Sequence, residues 1–351
     1  MGNCRVLLVS PLPPPVGGIT TWTTEYLKEM KSQGNQVTVV NSSVTGKRIS
    51  VNRKINVIDE IKRMRLIRSG IKAALKAGDV DVIHYNASCF VAGLCRDFYV
   101  LFGIKRRTPI VYQCHCNLET NIHSSFSALL FRCVVKSVNE VLVLNEPSYR
   151  FAEKYSPKVS KVPNFVSDDE VGQNTIKDDL TDVAFVGRMD KKKGIDELIC
   201  AFKSLRTINL HLIGPDSQGY LNDLDVPNII HYGEVSHGKA MEFLKEMDAL
   251  ILPSYSEGFP LVILEAMTAG LPIIATDVGS IGEMIEDKGG ILIEPKSSQS
   301  ICNAVEAIRP AIVREKMHKF NIAKVRESYL CSSVVEQLNS IYSNIRNEVS
   351  V

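Results

Sequence analysis

Two carboxylates, Glu257 and Glu265, bracket the stretch EGFPLVILE, on either side of a Gly-Phe-Pro turn and an apolar run. A pair of carboxylates that breaks one glycosidic bond needs its groups roughly 5 to 9.5 Å apart. Eight helical steps of about 1.5 Å would separate these two by up to about 12 Å, which suits the two ends of one extended ligand. Pro260 is predicted just inside the start of a helix, where its missing N–H costs nothing. The backbone N–H groups of Gly258, Phe259 and Leu261, with the positive end of the helix dipole, then make an anion site. A carboxylate accepts strong hydrogen bonds from vicinal hydroxyls. The ligand that fits has hydroxyls at both ends and an anion between them, as a nucleoside diphosphate sugar does.

Cations are needed beside such an anion. The stretch GRMDKKKG (187–194) supplies Arg188 at the end of one apolar run and Lys193 before the next helix. Arginine offers a planar fork to phosphate oxygens and lysine a mobile point charge. Lys191 and Lys192 read as a solvated charge run. In the first half, PLPPPVGGITTW follows an apolar run and enters a helix, and Gly17-Gly18 lets backbone approach a ligand closely. Cys114-His115-Cys116 is the one cluster with metal-ligand residue types. Alternate residues of a strand end point to opposite faces, and no second CxxC or HxxxH completes a site, so no metal is expected there.

These residues sit between repeated short apolar runs and amphipathic stretches. CRVLLVS, QVTVV, VDVIHY, PIVYQC and EVLVL fill the first half; DVAFVG, INLHLIG, NIIHYG, ALILP, PIIAT and GILIE fill the second. That alternation predicts α/β domains around parallel sheets, with ligands at the carboxyl ends of the strands. Residues 1–166 form one expected domain, 167–181 a polar linker and 182–328 a second domain; 329–351 form a terminal helix returning toward the first. No GxGxxG follows any predicted strand, which removes the dinucleotide fingerprint of a dehydrogenase.

The length of 351 residues agrees with two domains. Residues 1–166 hold 23 Lys and Arg against 11 Asp and Glu, and residues 167–351 hold 18 against 28, so the first half is the one that would meet an anionic partner. Residues 58–77 form a basic amphipathic helix in which Lys62, Arg63, Arg65 and Arg68 make a patch, extended by Lys105, Arg106 and Arg107. The patch predicts docking on an anionic membrane surface or an anionic acceptor. A nucleic-acid surface would interleave aromatics with the cations, and this helix has none. Nine scattered cysteines argue for reduced thiols in a cytoplasm. No run of 18 apolar residues spans a membrane.

GRMDKKKG, EGFPLVILE with AMTAGLPIIATDVGS behind it, the EP of ILIEP, the early PPPVGG and VPNFVS together make the chain similar to the glycosyltransferases of family 4. The resemblance covers almost the whole chain and implies the GT-B fold, two Rossmann-like domains facing across a cleft. It implies a retaining hexosyltransferase that takes a nucleotide sugar, UDP-linked in the commoner case, to a hydroxyl of a glycan or lipid-linked saccharide in surface polysaccharide synthesis, with no cofactor. Arg188 and Lys193 would hold the donor diphosphate and Glu257 the donor sugar. Amides from Gly258 through Phe259 and Pro260 to Leu261 would touch sugar and phosphate, and Glu265 the ribose. Gly17 and Gly18 would lie under the diphosphate, and His115 would contact the transferred sugar. Ser280 and Gly282 depart from the family pattern. A sugar-nucleotide epimerase on the same fold and a non-catalytic nucleotide-sugar-binding protein are the alternatives.

Overall fold

The computed structural model describes residues 4–14, 17–43, 57–78, 80–104, 108–172, 174–222 and 224–350. Lys105, Arg106 and Arg107 lie outside them. The chain divides into two units, residues 1–164 with 331–351, and residues 165–330.

The first unit alternates β1 (Arg5–Ser10), α1 (Gly18–Ser32), β2 (Gln36–Asn41), α2 (Val57–Ala77), β3 (Val82–Ala87), α3 (Val91–Leu101), β4 (Ile110–Cys114), α4 (Leu118–Asn121), α5 (Ser125–Val135), β5 (Glu140–Val143), α6 (Glu146–Ala152) and β6 (Val159–Lys161). All its strands are parallel, in the order β2-β1-β3-β4-β5-β6. Strands buried on both faces need apolar residues at every position, and Val6 through Val9 and Val141 through Val143 are all buried accordingly. The order reverses between β1 and β3, so a crevice opens at the carboxyl ends of those two strands.

The second unit runs β7 (Asp182–Val186), α7 (Ile195–Ser204), β8 (Asn209–Ile213), β9 (Ile229–His231), α8 (His237–Glu246), β10 (Ala249–Leu252), α9 (Leu261–Thr268), β11 (Ile273–Thr276), α10 (Ile281–Ile285), β12 (Gly290–Ile293), α11 (Ser298–Ala307) and α12 (Ala311–Ser328). Its parallel order, β12-β11-β10-β7-β8-β9, reverses between β7 and β10. The stretch 167–181 lies within this unit. Gly172 N–H donates to Thr268 O at 2.8 Å, and the buried Arg314 donates to the carbonyls of Lys177 and Asp178 at 2.8 and 2.9 Å. The last helix, α13 (Cys331–Ser350), packs on α1 of the first unit, where the hydroxyls of Tyr26 and Tyr342 meet at 2.9 Å.

Candidate active site

In the second unit the loops leaving β7 and β10 meet across the reversal of strand order. Gly194 is left-handed (φ 73°), and a Cβ there would stand 2.3 Å from the carbonyl oxygen of Pro253, so only glycine lets the two loops close up. Tyr255 N–H donates to Lys192 O at 2.8 Å, and the Tyr255 hydroxyl to Glu197 Oε1 at 2.6 Å. Between the loops, Lys193 Nζ lies 2.6 Å from Glu257 Oε1, with their side chains 24% and 11% exposed. Gly279, also left-handed, brings the loop after β11 against the carbonyls of Glu257 and Gly258, and Ser280 N–H donates to Gly258 O at 3.1 Å.

Pro260 stands one place earlier than expected, as the N-cap of α9 (φ −71°, ψ 114°), with Leu261 as the first helical residue. A cap residue keeps extended backbone, and proline's fixed φ accommodates that as readily as the first helical position. No side chain caps α9, and of its first amides Ile263 N–H turns back to Pro260 O at 3.1 Å. Phe259 and Pro260 are buried, Phe259 edge-on to Tyr329 at 5.8 Å. Glu265, on the fifth residue of α9, lies 2.9 Å from His237 Nε2. His237 opens α8, whose cap Ser236 accepts from Lys239 N–H at 3.3 Å. Nothing in the spacing from His237 to Glu265 marked that pairing, because the two meet only through the tertiary fold. Arg188 is 61% exposed and 3.6 Å from Asp190, set apart from the Lys193–Glu257 pair and available to a ligand from the same loop.

In the first unit Gly17 caps α1 with extended backbone (φ −173°) that any residue adopts, so positive φ does not explain this glycine. A Cβ at residue 17 meets nothing within 4 Å. Gly18, the first residue of α1, is exposed beside it. His115 follows β4, half-buried, its ring edge-on to Trp22 of α1 at 5.3 Å and its Nε2 2.9 Å from Asn86 Oδ1 of β3. Burial, and after it the neighbouring His84, depress its pKa to about 3, so the imidazole is neutral at physiological pH. His84 and Asn86 were invisible to motif reading, since they look like ordinary residues of a buried strand.

The basic patch is divided. Lys62 and Arg65 of α2 are exposed. Arg68 donates to Tyr99 O at 2.9 Å and lies 5.0 Å over the Tyr99 ring. Arg63 does not serve the patch: it is turned inward, donating to Ser42 O and pairing with Glu60 at 3.1 Å. Among the described residues no group of three or more His, Cys, Asp or Glu is arranged to hold a metal ion, and no helix is long and apolar enough to cross a membrane.

Residues 166–320 match the family of glycosyl transferases group 1, and residues 16–170 match glycosyltransferase family 4. The putative teichuronic acid biosynthesis glycosyltransferase TuaC of Bacillus subtilis is 26% identical over 259 residues, 69% of this chain and 65% of its own. The aligned stretch thus spans just under two thirds of that relative. Sucrose-phosphate synthase from Thermosynechococcus elongatus superposes with a TM-score of 0.80 at 16% identity, over 98% of this chain and 99% of its own. Anabaena Alr3699/HepE in complex with UDP-glucose does so with a TM-score of 0.71 at 17% identity, over 97% and 100%. At such identities the two structures bear on fold alone, and both agree with two parallel six-stranded sheets.

Proposed function

The chain belongs to the family 4 glycosyltransferases, and from that premise we propose that it moves a hexose from a nucleotide diphosphate sugar to a hydroxyl of a surface polysaccharide precursor, with retention of configuration. The observation that carries this reading is the Lys193–Glu257 pair, set across the strand reversal at the uncapped start of α9, with Glu265 further along the same helix. An acid, a base and a helix dipole converge there as a diphosphate flanked by two sugars requires. When the donor binds, its pyrophosphate takes Lys193 and Arg188, Glu257 turns to hydroxyls of the hexose, and Glu265 exchanges His237 for the ribose. The acceptor oxygen attacks the anomeric carbon on the face from which the nucleotide leaves. The C–O bond to phosphate breaks as the new one forms, and the acceptor proton passes to the departing phosphate. Positioning and stabilisation of the developing phosphate charge supply the catalysis. The two cations do this without a metal, so activity should survive a chelator.

UDP is the preferred donor base in this reading; the UDP-glucose of the Anabaena neighbour and the teichuronic acid role in TuaC's name agree with a UDP-sugar donor and a cell-surface glycan acceptor. The acceptor is met by the first unit at an anionic membrane surface. There α3 packs between α2 and α5; Leu66 of α2, Phe102 at the end of α3 and Leu129 of α5 stay 58–61% exposed, and Lys62 and Arg65 are exposed on α2. Exposed apolar side chains and exposed cations on one helical layer suit the interface of an anionic bilayer, where each cation contributes about 1 kcal/mol. A panel of UDP- and GDP-sugars screened by thermal shift tests the donor half. A donor at 100 times its dissociation constant stabilises by about 2.7 kcal/mol. Replacing Glu265 with Ala should abolish that shift, and a shift of undiminished size would overturn the ribose assignment.

A further inference from the structure

The buried core of the first unit holds a chain of hydrogen bonds whose proton positions are fixed by one backbone carbonyl. Thr23 Oγ1 lies 2.7 Å from Ile19 O and 2.6 Å from Ser10 Oγ. A carbonyl only accepts, so the single Thr23 proton goes to Ile19. Ser10 must then donate its own proton to Thr23, which leaves the Ser10 oxygen as an acceptor. Its remaining partner is Asn86, at 2.9 Å, which therefore presents Nδ2 to Ser10 and Oδ1 to the other side. On that side stand two imidazoles: His115 Nε2 at 2.9 Å and His84 Nε2 at 3.1 Å, the latter also 2.8 Å from Gln113 Oε1. Facing the Asn86 oxygen, both Nε2 atoms carry hydrogen. His84 Nδ1 is then bare and accepts from the Tyr342 hydroxyl, which in turn accepts from Tyr26. Ser10, Thr23, His84, Asn86 and Gln113 are all buried, so no water competes for these directions.

The consequence falls on His115. Its Nδ1 carries no proton and, among the described residues, has no hydrogen-bond partner, on a ring that stays partly exposed beyond the carboxyl end of β4. We propose that Asn86 is a positioning residue: aligned through Ser10 and Thr23, it holds His115 as the Nε2–H tautomer and offers Nδ1 as an acceptor to a hydroxyl of the transferred sugar. The proposal deepens the reading of His115 given above and rests on it. It also states what this histidine is not, namely a donor to a phosphate oxygen.

The test is a two-bond proton–nitrogen correlation spectrum of protein labelled with ¹⁵N-histidine, with the His115 signals assigned by a His115→Gln variant. Wild-type protein should show a protonated Nε2 and a bare Nδ1. Thr23→Val keeps the shape but removes the fixed acceptor for Ser10, so Asn86 can flip and the tautomers should mix; Thr23→Ser should restore the single form. Asn86→Leu should lower kcat about tenfold, an orientation loss of roughly 1.4 kcal/mol, with donor KM changed less than about twofold. A wild-type His115 protonated on Nδ1, or a single tautomer in Thr23→Val, overturns the proposal while leaving the general reading of His115 standing. An intact signature together with an unaffected rate in His115→Ala overturns that reading and the proposal with it.

Discussion

Lys193 Nζ and Glu257 Oε1 are 2.6 Å apart although 64 positions separate the two residues, and the contact bridges the loops that leave β7 and β10. The pair closes only because Gly194 and Gly279, both left-handed, let three loops pack backbone to backbone. A partly exposed ion pair contributes at most about 1 kcal/mol to stability, so its placement serves ligand chemistry better than it serves folding.

Lys193→Ala should therefore leave the unfolding midpoint within a few degrees of wild type. It should lower kcat/KM for nucleotide release by about a hundredfold or more, the scale seen when one preorganised charge-stabilising group is removed. Steady-state release of the nucleoside diphosphate with acceptor present reads the rate, and a denaturant titration reads the stability.

Glycines 17 and 194 should behave in opposite ways. Gly194→Ala forces a left-handed backbone and a clash with Pro253 O, and should cost about 2 kcal/mol or more in unfolding free energy. Gly17→Ala meets no protein atom and extended backbone, so it should fold with unchanged stability and lose donor affinity instead. Chemical denaturation beside donor titration calorimetry separates the two losses.

Acid should destabilise the first unit through its histidines. Burial depresses the pKa of His84 to about 4, and burial with the neighbouring His84 depresses that of His115 to about 3. The unfolded chain, with histidines near 6.5, binds more protons than the folded one between those values. Stability is thus full above about pH 6.5 and falls as pH drops toward 4, by roughly 2 kcal/mol at pH 5 for each group. Unfolding midpoints measured from pH 7.5 to 4.5 should show this slope, and His84→Gln should reduce it by about half.

Peripheral docking predicts that the purified protein floats with anionic vesicles at low salt and is released as salt rises. Lys62→Glu with Arg65→Glu, and separately Leu66→Glu with Phe102→Glu, should each abolish flotation while donor turnover on a soluble acceptor persists. Arg63→Ala should instead lower stability, because that side chain ties α2 to Ser42.

The alternation of apolar runs was enough to reveal two parallel sheets, and EGFPLVILE with GRMDKKKG was enough to bring Lys193 and Glu257 to one place, since strand-end loops of a doubly wound sheet converge at the reversal of order. What escaped were partners supplied by other elements. His237 pairs with Glu265 from a separate helix, and Asn86 backs His115 from a neighbouring strand; neither carries a spacing signal. Strand β6 was missed because VSK holds a single apolar residue, whereas the equally short β9 lies in the apolar run NIIHYG. Arg63 looked like its neighbours on the basic helix, yet the helical turn that exposes Lys62 and Arg65 carries it inward.

The most direct measurement is a crystal structure of the protein with an unreactive UDP-sugar analogue. The pyrophosphate should lie over the first turn of α9 within about 3 Å of Lys193 Nζ, charge-assisted hydrogen-bond distance, with Glu265 released from His237 onto the ribose hydroxyls. A nucleotide bound away from α9, or a Glu265 still held by His237 with no ribose beside it, would contradict the account.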